Sequence, residues 1–267
     1  MWQASGGNYG EDVAIPLSLG VPRRRGPQSL LAELLSAFTD ADAFTDADAF
    51  TDADAFTDAD GRSDLPVGGL FGPPVVLAST LLDAAGTDAG RIIVGLDVDP
   101  AELQTREQAS YEAVRFHLDC PVGQLGAAVA FQLPSPLAIF ATATTTTTSD
   151  DFGLAEVAQR LAEAGCIPGL ASGHSVGEVA DVLAVLAHAD VGYVARARDT
   201  AEVLALISGT VAALCGDDIR MALVNPEPAK LSALIPEAAE AVREVLLGIE
   251  VRDPSLVGRE LASLGFR

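Results

Sequence analysis

The run Gly173-His174-Ser175-Val176-Gly177-Glu178 sets a serine midway between two glycines. In a Gly-x-Ser-x-Gly elbow the serine occupies a sharp strand-to-helix turn, and the glycines remove the Cβ atoms that would clash as the backbone bends. The hydroxyl of Ser175 would then stand ready as an acyl-accepting nucleophile. A helix that starts directly afterwards aims the backbone N–H of Val176 and the positive end of its dipole at a developing oxyanion. Val179, Val182, Leu183 and Leu186 recur at i, i+3, i+4 and i+7, which predicts that helix as amphipathic. The same residues also admit a reading without catalysis. Ser175-Val176-Gly177-Glu178 is a capping box, in which Ser175 caps the helix and Glu178 reaches back to the cap N–H.

A serine nucleophile needs a base within roughly 3 Å to take its proton. The histidines are His117, His174 and His188. His188 lies thirteen residues past Ser175, roughly 20 Å along a continuous helix, which excludes it. His174 adjoins the serine at a tight turn where neighbouring side chains diverge, so it is expected to line the pocket. His117 alone is free to approach from elsewhere, the other outcome for it being a core or surface position.

The hexapeptide Gly-His-Ser-x-Gly-Glu closely resembles the signature of the malonyl-CoA:acyl carrier protein acyltransferases of fatty acid and polyketide synthases. Three further stretches are similar to that family in the same order: Tyr193 to Asp199, Gly209 to Gly216, and, upstream, Pro136 to Thr142. The resemblance covers roughly residues 132 to 247. It implies an α/β fold with a hydrolase-like parallel-sheet core and a nucleophile elbow, together with a partial ferredoxin-like small subdomain. It also implies S-malonyl transfer without a cofactor: Ser175 accepts malonyl from malonyl-CoA and passes it to the phosphopantetheine thiol of an acyl carrier protein. Arg198 takes the place of the family's carboxylate-binding arginine on a helix, where its planar fork could hold the malonyl carboxylate through two hydrogen bonds. The chain departs from the family pattern at two points. No Gly-Gln-Gly segment stands near the start, and Asp253-Pro254-Ser255 occupies the place of the family's Phe-His-Ser, with Arg267 following before the family domain would be complete. Two other readings therefore stay open, a non-catalytic truncated or degenerate acyltransferase fragment and a serine esterase.

The elements that must position these residues are foreshadowed by the hydrophobic pattern. Arg91 to Val98 reads as a strand, Pro100 to Leu118 as a helix, Asp150 to Ala164 as a helix stopped by Gly165, and Cys166 to Ser172 as a strand leading into the elbow. Alternation of this kind predicts an α/β fold with a mainly parallel sheet. Three regions follow: a low-complexity N-terminal region over 1–90, an acyltransferase-like core over 91–208, and a partial small subdomain with a tail over 209–267. Within the first lie four perfect copies of Ala-Phe-Thr-Asp-Ala-Asp over residues 37–60. Dense like charge without loop glycines favours a flexible acidic linker there over a calcium-binding ladder.

A net charge of -22 opposes a nucleic-acid surface, which needs clustered Lys and Arg to release counterions. Cys120, Cys166 and Cys215 have no CxxC spacing and are odd in number, so neither a disulfide framework nor a metal site is indicated. A reducing cytoplasm fits that usage. No basic start followed by an apolar run marks a signal peptide, and the apolar stretch Leu125 to Ala143 is interrupted by Gln132, Pro134 and Pro136, against a membrane helix.

Overall fold

The computed structural model describes residues 29–39, 69–105, 107–142 and 153–266. The acidic repeat lies outside them apart from its first three residues. Eight parallel strands follow one another round a closed barrel. They are β1 (Leu35–Thr39), β2 (Val75–Leu77), β3 (Asp88–Leu96), β4 (Ser110–Pro121), β5 (Leu137–Thr142), β6 (Ile167–Leu170), β7 (Tyr193–Ala197) and β8 (Leu246–Val251), and β8 pairs with both β7 and β1. Between and after them run α1 (Ala78–Asp83), α2 (Pro100–Thr105), α3 (Leu125–Ala128), α4 (Leu154–Glu163), α5 (Val176–Leu186), α6 (Thr200–Cys215), α7 (Ile219–Val224), α8 (Pro228–Ser232), α9 (Pro236–Val245) and α10 (Pro254–Ser263).

The parallel-sheet α/β expectation therefore holds, in the form of a closed barrel. The finer hydrolase-like core and ferredoxin-like subdomain do not emerge from the topology. Residues 209–267 contribute β8, which seals the barrel, and residues 29–39 and 69–90 contribute β1, β2 and α1. The barrel thus draws on both sides of the boundaries read at residues 90 and 208. Among the described residues no helix is long and apolar enough to cross a membrane, and the apolar stretch that begins at Leu125 contains α3 and β5.

Two segments adopt a different element from the one expected of them. The helix expected over Pro100 to Leu118 stops at Thr105, and Ser110–Pro121 is the longest strand. Hydrogen bonding to β3 on one side and β5 on the other overrides the helical propensity of its Glu, Ala, Arg and Leu. Likewise Tyr193–Ala197, which the family resemblance makes helical, is strand β7, lying between β6 and β8.

Register fixes which side chains share the lumen, because partners in parallel strands face the same side. One tier runs Gly95, His117, Ala138, Ile167; a higher one runs Asp119, Phe140, Gly169, Val194, Gly248; Arg196, Glu250 and Ser36 continue it. The outer faces of the strands and the inner faces of the helices hold most of the apolar core, while the lumen holds an apolar cluster of Ala138, Phe140, Ile167 and Val194, with Val75 and Ile93 in register with Arg115. Two glycines make room for large lumen groups. A Cβ at Gly169 would stand 2.6 Å from the Phe140 ring, and one at Gly248 would stand 2.9 Å from the Arg115 guanidinium.

Helix starts are set by local chemistry. Ser175, Asp199, Asp218 and Asp253 each accept a hydrogen bond from a first-turn N–H of the helix that follows. Gly165 and Gly216, both with φ of 74°, end α4 and α6 in the left-handed conformation, the first of them at the expected place.

Candidate functional site

The lumen of the barrel holds a chain of ionisable side chains. Arg115, His117 and Asp119 alternate along β4, so all three face inward, and Arg196 of β7 and Glu250 of β8 meet them from across the barrel. Arg115 donates through Nε to His117 Nε2 at 3.2 Å and through Nη1 to the Leu247 carbonyl at 3.2 Å. A guanidinium can only donate, so His117 Nε2 accepts and the ring proton resides on Nδ1, from which it is donated to Glu250 Oε1. Glu250 Oε2 accepts from Arg196 Nε at 2.7 Å. Arg196 then grips Asp119 through both terminal nitrogens, at 2.6 and 3.2 Å. Its guanidinium lies 3.8 Å above the Phe140 ring centroid, a cation–π contact that fixes the plane of the fork.

Burial grades this chain from bottom to top. His117 and Glu250 are buried, the Arg196 side chain is 28% exposed and that of Asp119 57%. Burial pushes the Arg115 guanidinium down to about 10, against the opposing pull of the Glu250 charge. It also pushes His117 below its ordinary value, outweighing the hydrogen bond that His117 donates to Glu250, so the ring is neutral near pH 7. For Glu250, burial works to raise the pKa, but the contacts to His117 and Arg196 prevail and hold it below the usual carboxylate range. Arg196 is disfavoured by burial and yet raised by Asp119 and Glu250. The chain is thus two arginines and two carboxylates, with an imidazole whose ring nitrogens are both engaged. His117 has no nitrogen left for a substrate; Asp119 is the exposed end.

The elbow lies on the same rim, after β6. Gly173 has φ of 91°, the left-handed turn that its lack of a Cβ permits. Ser175 itself is extended (φ -67°, ψ 154°) and forms the complete capping box. Its N–H and Oγ both donate to Glu178 Oε2, at 2.9 and 2.7 Å, while the Glu178 N–H donates to Oγ at 3.3 Å. Those bonds to Ser175 hold the Glu178 carboxyl below its ordinary value, which weakens it as a base. No histidine is among the hydrogen-bond partners of Ser175 in the described residues.

His174, Val176 and Arg198 do come together. They line one cleft of about 320 Å³, with Arg196 and Glu202 among the other walls. Ser175 sits between two of the lining residues on the exposed rim. Arg198 follows the end of β7, and its guanidinium is tied to Glu202 at 3.2 Å. His188 is exposed beyond the end of α5, away from the elbow.

Sequence reasoning reached His117 only as a free histidine and passed over Arg115, Asp119, Arg196 and Glu250. The signal for the first group was present as Arg115-x-His117-x-Asp119, the two-residue period of a strand with one polar face. Glu250 had none, because its partners are remote in the chain. Comparison with protein-family models, with characterised proteins and with solved structures finds no match to this chain.

Proposed function

We propose that the chain is an enzyme acting at the carboxyl-terminal mouth of the barrel, with Asp119 moving a proton and Arg196 holding negative charge on a small carbonyl-bearing substrate. The ion chain in the lumen is the observation that carries this reading. Buried ion pairs stabilise a core no better than apolar side chains of similar volume, so stability alone gives little reason for one. Perturbed ionisable groups gather where chemistry is done, and in parallel β/α barrels that is the end to which the strands point. Asp119 and Arg196 lie toward that end of β4 and β7.

Three of the five N–H bonds of Arg196 go to Glu250 and Asp119, leaving one on each terminal nitrogen for a substrate oxygen. Asp119 would take the proton from the carbon next to a carbonyl, the C–H electron pair would move to the carbonyl oxygen, and Arg196 would hold the resulting enolate. Return of the proton to carbon completes an enolising isomerisation or racemisation. Incubation in deuterium oxide with a panel of small keto and hydroxy acids, followed by NMR, tests the step. Asp119-dependent deuterium uptake into one of them is expected. Uptake that persists in Asp119→Asn, or none across the panel, overturns the proposal.

A second reading retains the hydrolase-like elbow and S-malonyl transfer, with malonyl-CoA and an acyl carrier protein as partners. It is supported by the gathering of His174, Val176 and Arg198 round one cleft beside Ser175. Intact mass analysis after exposure to malonyl-CoA tests it, an adduct on Ser175 being its expected outcome.

A further inference from the structure

At the outer end of the cleft, three donors from two loops converge on a single carboxylate. The Gly173 N–H, after β6, donates to Glu202 Oε1 at 3.3 Å. The Arg198 N–H and Nε, after β7, donate to Glu202 Oε2 at 2.8 and 3.2 Å. Glu202 is the third residue of α6, and its own N–H donates to the cap residue Asp199 at 2.9 Å. In a capping box its carboxylate would return to the Asp199 N–H. Here it reaches past that residue to bridge the two loops instead.

The cradle therefore presents two main-chain N–H groups and a guanidinium, with the two carboxylate oxygens shared between the loops. Convergent N–H groups beside an arginine are the means by which proteins hold oxyanions. The adjoining cleft of about 320 Å³, with Arg196 in its wall, provides room for the rest of a ligand. Glu202 is joined to this cradle only by rotatable side-chain bonds, so its carboxylate can leave without any shift of α6.

We propose that a ligand bearing a carboxylate or phosphate group binds in this cleft with its oxyanion on the Gly173 and Arg198 N–H groups and the Arg198 guanidinium, where Glu202 is a tethered competitor. This deepens, and rests on, the reading of the barrel mouth as the substrate site. The competing carboxylate weakens binding to the native protein, because the ligand must displace charge-assisted hydrogen bonds already made.

Titration of the ¹⁵N-labelled protein with sodium phosphate and with sodium acetate, each against sodium chloride of equal ionic strength, reads the Gly173 and Arg198 amide signals directly. Removal of the competitor in Glu202→Ala should tighten binding of at least one anion by about tenfold, the loss of roughly one charge-assisted contact. Glu202→Gln, which keeps the shape but not the charge, should tighten it less and serves where the alanine variant fails to fold. Adding Arg198→Ala should abolish the gain. Preference for phosphate or for acetate tells which group the ligand carries. Folded Glu202→Ala or Glu202→Gln protein whose two amides respond to neither anion beyond the chloride control overturns the proposal. Deuterium uptake without anion binding would sink this inference and leave the Asp119–Arg196 proposal standing, and the reverse result would do the opposite.

Discussion

The elbow at the start of α5 and the ion chain in the lumen use similar groups in opposite ways. Ser175 and Glu178 are three residues apart, exposed, and satisfy each other within the first turn of one helix. His117 and Glu250 are 133 residues apart and buried, and Arg196 reaches 54 residues to Glu250 and 77 to Asp119. Water screens the first set and stands ready to replace any bond lost there. His117 and Glu250 have given up most of their water, so each depends on its neighbours for compensation. A motif that looks chemical can thus be satisfied locally, while the groups that depend on distant partners stand in residues that form no motif.

That contrast can be broken most forcefully at Glu250. Glu250→Ala leaves Arg196 without its buried counter-charge and the His117 Nδ1–H without its acceptor, and should cost about 3–5 kcal/mol in denaturant unfolding. A cost under about 1 kcal/mol would place the lumen on the same footing as the surface.

Acid should also separate the two regions. His117 titrates below its ordinary 6.5 in the folded protein, so the unfolded chain takes up its proton first. The His117 contribution is therefore complete above about pH 6.5 and is lost as the pH falls below it. Glu250, held below its ordinary 4.5, adds a second loss as the pH falls through its lower folded value. Urea midpoints measured from pH 7 to pH 4 should decline, and His117→Gln should flatten the upper part of that decline.

A smaller effect is expected at the elbow. Ser175→Ala removes the cap acceptor and should cost about 1 kcal/mol, as helix caps do. A loss nearer to that of Glu250→Ala would mean that the elbow is tied into the core after all.

The smallest stability change belongs to Asp119→Asn at the exposed end of the chain, within about 1 kcal/mol, as for exposed ion pairs. The same variant should abolish the proposed deuterium uptake, so stability and activity would part company at this residue.

Local rules brought several elements within reach of the sequence. The Gly165 stop, the Ser175 cap and the i, i+3, i+4, i+7 stripe of α5 lie where the pattern puts them, because each depends on neighbours within one or two turns. β4 and β7 were not legible in the same way. Their residues have respectable helical propensity, and their inward positions carry Arg115, His117, Asp119 and Arg196 where an ordinary strand would carry apolar groups. A polar lumen inverts the usual alternation, so the inside of these strands reads as an outside.

The sequence alone determined the parallel α/β character, the capped start of α5 and the left-handed stop at Gly165, the last two of which rest on contacts between near neighbours. Closure of the sheet, the meeting of Arg115, His117, Asp119, Arg196 and Glu250, and the convergence of Gly173 and Arg198 on Glu202 were decided only in three dimensions. The physical reason is that strand register, summed round eight parallel pairs, sets which side chains face one another, and no short window of the chain encodes that sum.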